Sequence, residues 1–400
     1  MHTLLKAHSE DPSSNLIYSD KFDHTSLSKT GLSPRLRQKL LCMHVSSFDW
    51  EQGGLLSPIK FLDRDSIEYS LSQAATHDKN EERMARLSLS NGMGLIDAND
   101  GGIYQFATQN SWHLNHFSKS MAAQAGSLRL YALAYSLFKE HKFLQTARHV
   151  CDYLHSTLLT PEGVFRSNLS DTIVYLEKSK KDIKTSIKTH ENAWAIEALA
   201  TFNEFCGDSS ALQMAKRASE WMINHRSIEG GGFSSNNNEK SALSLADNLA
   251  MARAFLQMYR ATTESRYLHL ADKTASFMCS NFSNSEGGFN TQITDKSNCS
   301  SKPQIDENIC VSRFLNLLHY YTDKNEYLDM ARHGLSYLAL PQVATSRMEE
   351  AGILLLDEEL AKTPLKINII GDKNDAKVAN LFRSAQRSYG WYKVIQWRQS

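Results

Sequence analysis

The residue types able to do chemistry gather in two places. Between Gly101 and Ala125 the chain reads GGIYQFATQNSWHLNHFSKSMAAQA, a glycine pair and aromatics leading into a Trp/His cluster and then an alanine-rich amphipathic segment. Groups crowded where a loop enters a helix can face a pocket, because the loop is exposed while the helix fixes their direction. His116 is the first candidate, since an imidazole takes up and releases a proton near neutral pH. The competing reading is a histidine buried under the glycine loop and hydrogen-bonded for structure. Trp112, Phe117 and Trp194 could floor a sugar site, aromatic faces covering the apolar side of a pyranose while polar neighbours take its hydroxyls. Core packing explains a helical tryptophan equally well.

The second place runs from His190 to Asp247. His190, Glu191 and Asn192 stand just ahead of an apolar helical stretch, where a carboxylate favours the helix N-terminus, and capping is the preferred reading of Glu191. The alternative pairs Glu191 with Asp247 as acid and base, which glycoside hydrolysis requires to lie about 5 to 9.5 Å apart. Asp247 and Asp306 also begin apolar helices, where Asp is a common cap.

These residues sit in a chain of helices punctuated by glycine. GGLL at Gly53, GGIY at Gly101, EGVF at Glu162, GGGF at Gly230 and EGGF at Glu286 recur at intervals of about 50 to 70 residues, long enough for two helices and their loops. Glycine followed by an aromatic suits a turn of positive φ whose aromatic anchors it to the core. Between the turns, segments such as SLRLYALAYSLFKEH, AWAIEALATFNEFCG, LADNLAMARAFLQMYRAT and ICVSRFLNLLHYYTD place apolar residues at i, i+3, i+4 and i+7. Six hairpins closing into a ring give the expected fold, an all-α (α/α)6 toroid over 33–364. Residues 1–32 read as a poorly ordered tail, and 365–400, with LKINIIG, a helix and WYKVIQW, as a small C-terminal β-α-β piece.

Composition narrows the partners. Lys+Arg and Asp+Glu both number 44, so there is no broad electrostatic case for nucleic acid or an anionic membrane. No window has the roughly 18 apolar residues of a spanning helix and no signal-peptide run opens the chain, so the expectation is a soluble, cytoplasmic protein. Cys42, Cys151, Cys206, Cys279, Cys299 and Cys310 are scattered without a CxxC or a zinc-type Cys/His set, and the single glycine after LKINII makes a poor phosphate loop. No cofactor and no metal are expected.

The run GGIYQFATQNSWHLNHFSKSM resembles the GGFxRYSxDxxWxxPHFEKM pattern in the six-hairpin domain of the thioredoxin-fused, YyaL-type family, which includes the animal spermatogenesis-associated thioredoxin-domain protein. Gly101, Gly102, Trp112, His116, Phe117 and Lys119 fit it. DWEQGGLLSPIKF, NAWAIEALA and the helix carrying Asp247 resemble further family segments in chain order. The catalytic candidates are His116, Glu191 and Asp247, with Trp112, His113, Phe117, Lys119, Asn192 and Trp194 as candidates to bind substrate; nothing in the family pattern demands an imidazole at His113, and the family's acidic pair near Glu191 is gone. The resemblance implies N-acylglucosamine 2-epimerase-like chemistry on a small sugar, or a separate thioredoxin-like partner, because this sequence carries a short tail in place of the thioredoxin module. Gln105, Phe106, Gln109 and Ser118 replace the pattern's Arg, Tyr, Asp and Glu. That loss of charge favours a sugar-binding or catalytically degenerate member over an active epimerase, isomerase or glycoside hydrolase.

Overall fold

The computed structural model describes residues 31–114, 116, 118–167, 187–236, 243–293, 302–390 and 392–398. The expected N-terminal tail up to residue 30, Phe117, most of the lysine run at 175–188 and part of the Asn236 to Asn238 run lie outside these.

Among the described residues, twelve long helices alternate in chain order between an outer and an inner layer. The outer set is α1 (Pro34–Ser46), α3 (Lys79–Gly92), α5 (His141–Tyr153), α7 (Ser209–Arg226), α9 (Ser265–Phe282) and α11 (Asn325–Leu338). The inner set is α2 (Arg64–Ala75), α4 (Met121–Phe138), α6 (Thr189–Cys206), α8 (Leu245–Thr262), α10 (Ile305–Thr322) and α12 (Ala351–Ala361). Each inner helix packs on the next, and α12 packs back on α2, so the ring is closed; α1 lies outside α12. This is the (α/α)6 toroid. The inner helices are buried around most of their circumference, as α8 shows with fourteen of its eighteen residues buried. No helix among the described residues is long and apolar enough to cross a membrane.

Two local devices repeat around the ring. Within a hairpin, the inner helix ends on a residue in the left-handed region, at Lys139, Gly207, Thr263 and Asp323, which reverses the chain into the outer helix. Between hairpins, the chain leaves the outer helix, turns on glycine at positive φ and returns through a one-pair antiparallel bridge, at Phe48↔Leu55, Ile96↔Ile103, Leu159↔Phe165, Ser227↔Phe233 and Ser283↔Phe289.

The bridge residue is then gripped by an amide at the fourth position of the next inner helix. Gln124, Asn192, Asn248 and Asn308 accept from the backbone N–H of Ile103, Phe165, Phe233 and Phe289 at 2.7–2.9 Å and donate to the carbonyls of the same residues. Each amide also donates to the carbonyl at its own helix's N-cap. The glycine-aromatic punctuation of the sequence is therefore the loop half of a clamp. All four amides are fully buried, so their polar atoms must be matched in this way.

The C-terminal unit is β1 (Leu365–Ile370), α13 (Ala376–Arg387) and β2 (Lys393–Arg398), with the strands parallel and Ile367 opposite Ile395. It sits across the C-terminal ends of the inner helices. Gln386 donates to the last carbonyls of α8, and Tyr392 donates to Glu359 O while accepting from Asn316.

Candidate functional site

The ring's other end, where the inner helices begin, carries its carboxylates. One residue before each clamping amide, at the third helical position, stand Ala123, Glu191, Asp247 and Glu307. The same register that aims Asn192, Asn248 and Asn308 at a loop therefore sets three acids side by side at the mouth, each in the first turn of a helix whose positive end favours an anion.

Asp247 is the best held of them. Its Oδ1 accepts from the backbone N–H of His190 at 2.9 Å and lies 2.8 Å from His190 Nδ1. Its Oδ2 accepts from Ser235 and, at 2.6 Å, from Ser244, the N-cap of α8, whose own Oγ takes the Asp247 N–H. Burial opposes its ionisation, but the hydrogen bonds from His190, Ser235 and Ser244 outweigh that and hold its carboxyl below the ordinary value. Capping and a poised carboxylate thus coexist in this one residue.

Glu307 is displaced the other way. Burial, then the charges of Asp306 and Asp247, push its carboxyl up to about 7. Its Oε2 is buried with no hydrogen-bond partner among the described residues, and the same is true of Glu191 Oε2, although Glu191 Oε1 accepts from Lys188 at 3.2 Å. Trp194 meets the His190 ring edge-on at 4.9 Å, one turn inside the mouth.

The loop before α4 is built differently. Lys119 is an anchor whose ammonium donates to Asp97 at 2.7 Å and to both oxygens of Asp100, and lies over the Tyr104 and Tyr153 rings. Trp112 is buried over Gly54 and donates its indole N–H to Gln52 O at 2.7 Å. His113 is exposed beside Gly94, and His116 is exposed and stacked on Phe106 at 4.6 Å. Through His190 the structure joins Asp247 and Trp194, with Glu191 the next residue along α6 and Asn192 in the clamp behind it. Among the described residues it shows no bond from His113, His116, Trp112 or Lys119 to that group.

Two residues of the mouth escape a reading centred on the Trp/His loop: Glu307, and His190 as the partner of Asp247. The signal was present as an acid-Asn dipeptide at the start of three consecutive inner helices, ENAW, DNLA and ENIC.

Comparison with known proteins agrees with this architecture. Residues 170–346 match the model of glycosyl hydrolase family 76, a span that contains Glu191, Asp247 and Glu307. Three solved structures superpose on the ring: a sugar epimerase from a ruminal bacterium (TM-score 0.63, 14% identity, 76% of this chain and 86% of that one), cellobiose 2-epimerase from Bacillus thermoamylovorans (0.63, 11%, 76% and 85%) and cellobiose 2-epimerase from Spirochaeta thermophila (0.61, 12%, 76% and 85%). The fold is that of the six-hairpin glycosidases and epimerases. A curated cellobiose 2-epimerase from Eubacterium cellulosolvens is 25% identical over 124 residues, a match spanning 30% of this chain and 29% of that protein.

These matches correct the resemblance to the thioredoxin-fused family. The physical reason lies in the repeat. A glycine turn, an apolar anchor and a helix start make up the clamp that several hairpins of this ring use, so a motif built on them reports the toroid and not one of its branches.

Proposed function

We propose that this protein hydrolyses a glycosidic bond at the mouth of the ring, with Glu307 as general acid and Asp247 as its ionised partner. The observation that carries this reading is the opposite displacement of two neighbouring carboxyls, Glu307 up to about 7 and Asp247 below its usual value. Such a split supplies a proton donor and an anion together at neutral pH. Glu307 protonates the leaving oxygen. Asp247 stabilises the positive charge developing on the sugar, and Glu191, with one free carboxylate oxygen, activates the attacking water. Trp194 offers a face on which the ring can stack. The family 76 match over 170–346 supports a glycosidase reading. Turnover of a panel of aryl glycosides by wild type and by Glu307→Gln tests it. Activity lost in the variant and regained with an activated leaving group is the expected result, and equal turnover of unactivated substrates by both proteins would refute it.

The His190–Asp247 contact favours a second reading. An imidazole oriented by a carboxylate can take the proton next to a sugar carbonyl, as epimerisation needs. Deuterium from solvent appearing at C2 of a reducing sugar, without bond cleavage, would select this reading over hydrolysis.

A further inference from the structure

Two arginines are equally buried among the described residues, Arg226 and Arg260, each 4% exposed. Arg260 is paired with Glu204 at 2.9 Å, whereas Arg226, the last residue of α7, has no carboxylate within ion-pair distance among the described residues. Its Nη2 donates to Ile187 O at 3.2 Å and its Nη1 to His225 O at 3.5 Å, while its Nε is buried with no hydrogen-bond partner among the described residues. The guanidinium lies over the Trp221 ring at 5.0 Å. A cation buried on such terms is costly unless an anion farther off acts on it through the low-dielectric interior. Burial lowers the pKa of Arg226, and the charge of Asp247 opposes that.

Arg226 also ties together the two segments that donate to Asp247. Its side chain holds Ile187, just ahead of α6, where His190 gives its backbone N–H to Asp247 and sets its ring Nδ1 beside the same oxygen. Its carbonyl accepts from Ser234 N at 2.9 Å and Ser234 Oγ at 3.4 Å, and the next residue, Ser235, donates to Asp247 Oδ2. Thr189 joins the two segments to each other, its hydroxyl donating to Ser234 O at 2.6 Å.

We infer that Arg226 is a positioning residue for the mouth, its side chain fixing the entry to α6 and its charge holding the Asp247 carboxylate ionised and in place. The inference rests on the reading of Asp247 as the ionised acid of the site, which hydrolysis and epimerisation both need. The charged and titratable groups that act on Asp247 are His190 from α6, Arg226 from α7 and Glu307 from α10. Without Arg226, the mutual repulsion of Asp247 and Glu307 is offset by His190 alone among these.

A double-mutant cycle on folding tests this without needing turnover. Urea denaturation at pH 7 of wild type, Arg226→Gln, Asp247→Asn and the double variant reads the coupling between the two positions. Arg226→Gln should shift the unfolding constant at least about fivefold further toward unfolding in the Asp247 protein than in Asp247→Asn. Arg226→Lys, which keeps the charge, should restore most of that difference. If Arg226→Gln does not fold, Arg226→Met, which fills the space over Trp221 without a charge, takes its place. Equal effects in both backgrounds, or Arg226→Lys behaving as Arg226→Gln does, would overturn the inference and leave Arg226 a strut for the chain at Ile187. In glycoside turnover, the acid limb of kcat/KM should move to higher pH in Arg226→Gln, because removing a nearby cation raises a carboxyl's pKa. An unmoved limb would overturn the inference as well. Coupling in the cycle with no turnover by any of these proteins upholds the role of Arg226 and counts against the hydrolase reading alone.

Discussion

Asp247 on α8 reaches across to α6 and takes two bonds from one residue, the backbone N–H and the ring Nδ1 of His190. The contact joins two inner helices at the level where their acids stand, so the position of the Asp247 carboxylate relative to Glu191 is set by a hydrogen bond and not by helix packing alone. Asp247→Asn keeps the shape of the side chain and removes its charge. It should lower glycoside turnover by about 10²- to 10⁴-fold, the range for loss of one acid or base group, while far-UV circular dichroism stays unchanged. Turnover within a factor of three of wild type would exclude Asp247 from the chemistry.

Glu307 gives two pH signatures. As the acid it must be protonated, so kcat/KM falls as pH rises through about 7, and in Glu307→Gln that limb disappears. Stability follows the same group. A carboxyl raised in the folded state contributes stability that is full below its unfolded value near 4.5 and is lost as pH rises through about 7. Glu307→Gln lacks this loss, so its Tm relative to wild type should climb between pH 5 and pH 8. A constant difference across that range would show that Glu307 titrates normally.

The clamp makes a prediction about folding alone. Asn308→Ala leaves the N–H and C=O of Phe289 buried without their partner, which should cost about 3 kcal/mol, measured as a lower urea midpoint at unchanged slope. Asn308→Asp keeps the acceptor for Phe289 N–H and loses the donor, and should fall between the two. If Asn308→Ala unfolds at the wild-type midpoint, the amide clamp is not what fastens the loop to α10.

The ring was legible because its helices announce themselves at 3.6-residue spacing and its turns by glycine. The mouth was half legible. Glu191 and Asp247 attract notice as acids at helix starts, but Glu307 follows another acid, Asp306, and such a pair reads as ordinary first-turn charge. Local sequence does not say that Asp306 faces outward to Arg347 while Glu307 is half-buried with its Oε2 out of solvent. The ion pairs between inner helices were not legible. Arg129, Glu197, Arg253 and Arg313 sit in apolar helices where a lone charge reads as the solvent face, and only closure of the ring turns those faces inward. The Trp/His loop drew attention through rare residue types, yet Trp112 and Lys119 are anchors within it.

The seam where α12 closes against α2 supplies the last prediction. His44 on α1 is buried between Glu81 and Glu349, with Nε2 at 3.2 Å and Nδ1 at 3.0 Å from their carboxylates. Burial would depress its pKa, but hydrogen bonds and charge from Glu349 and Glu81 win and raise it to about 9. A raised histidine stabilises fully below its unfolded value near 6.5, and the contribution disappears as pH rises through about 9. Asp63, pushed up to about 7 by burial and by the charges of Glu349 and Asp65, acts with the same sign in a lower window, from about 4 to 7. Glu349 also accepts from the Ala351 N–H at the start of α12, so losing the His44 charge loosens the helix that closes the ring. Wild type should therefore lose stability between pH 6 and pH 9.5, by on the order of 3 kcal/mol from His44, and His44→Gln should lose much less over the same interval. Parallel denaturation curves for the two proteins across that range would mean that His44 is neutral in the folded chain and that the seam is held by packing.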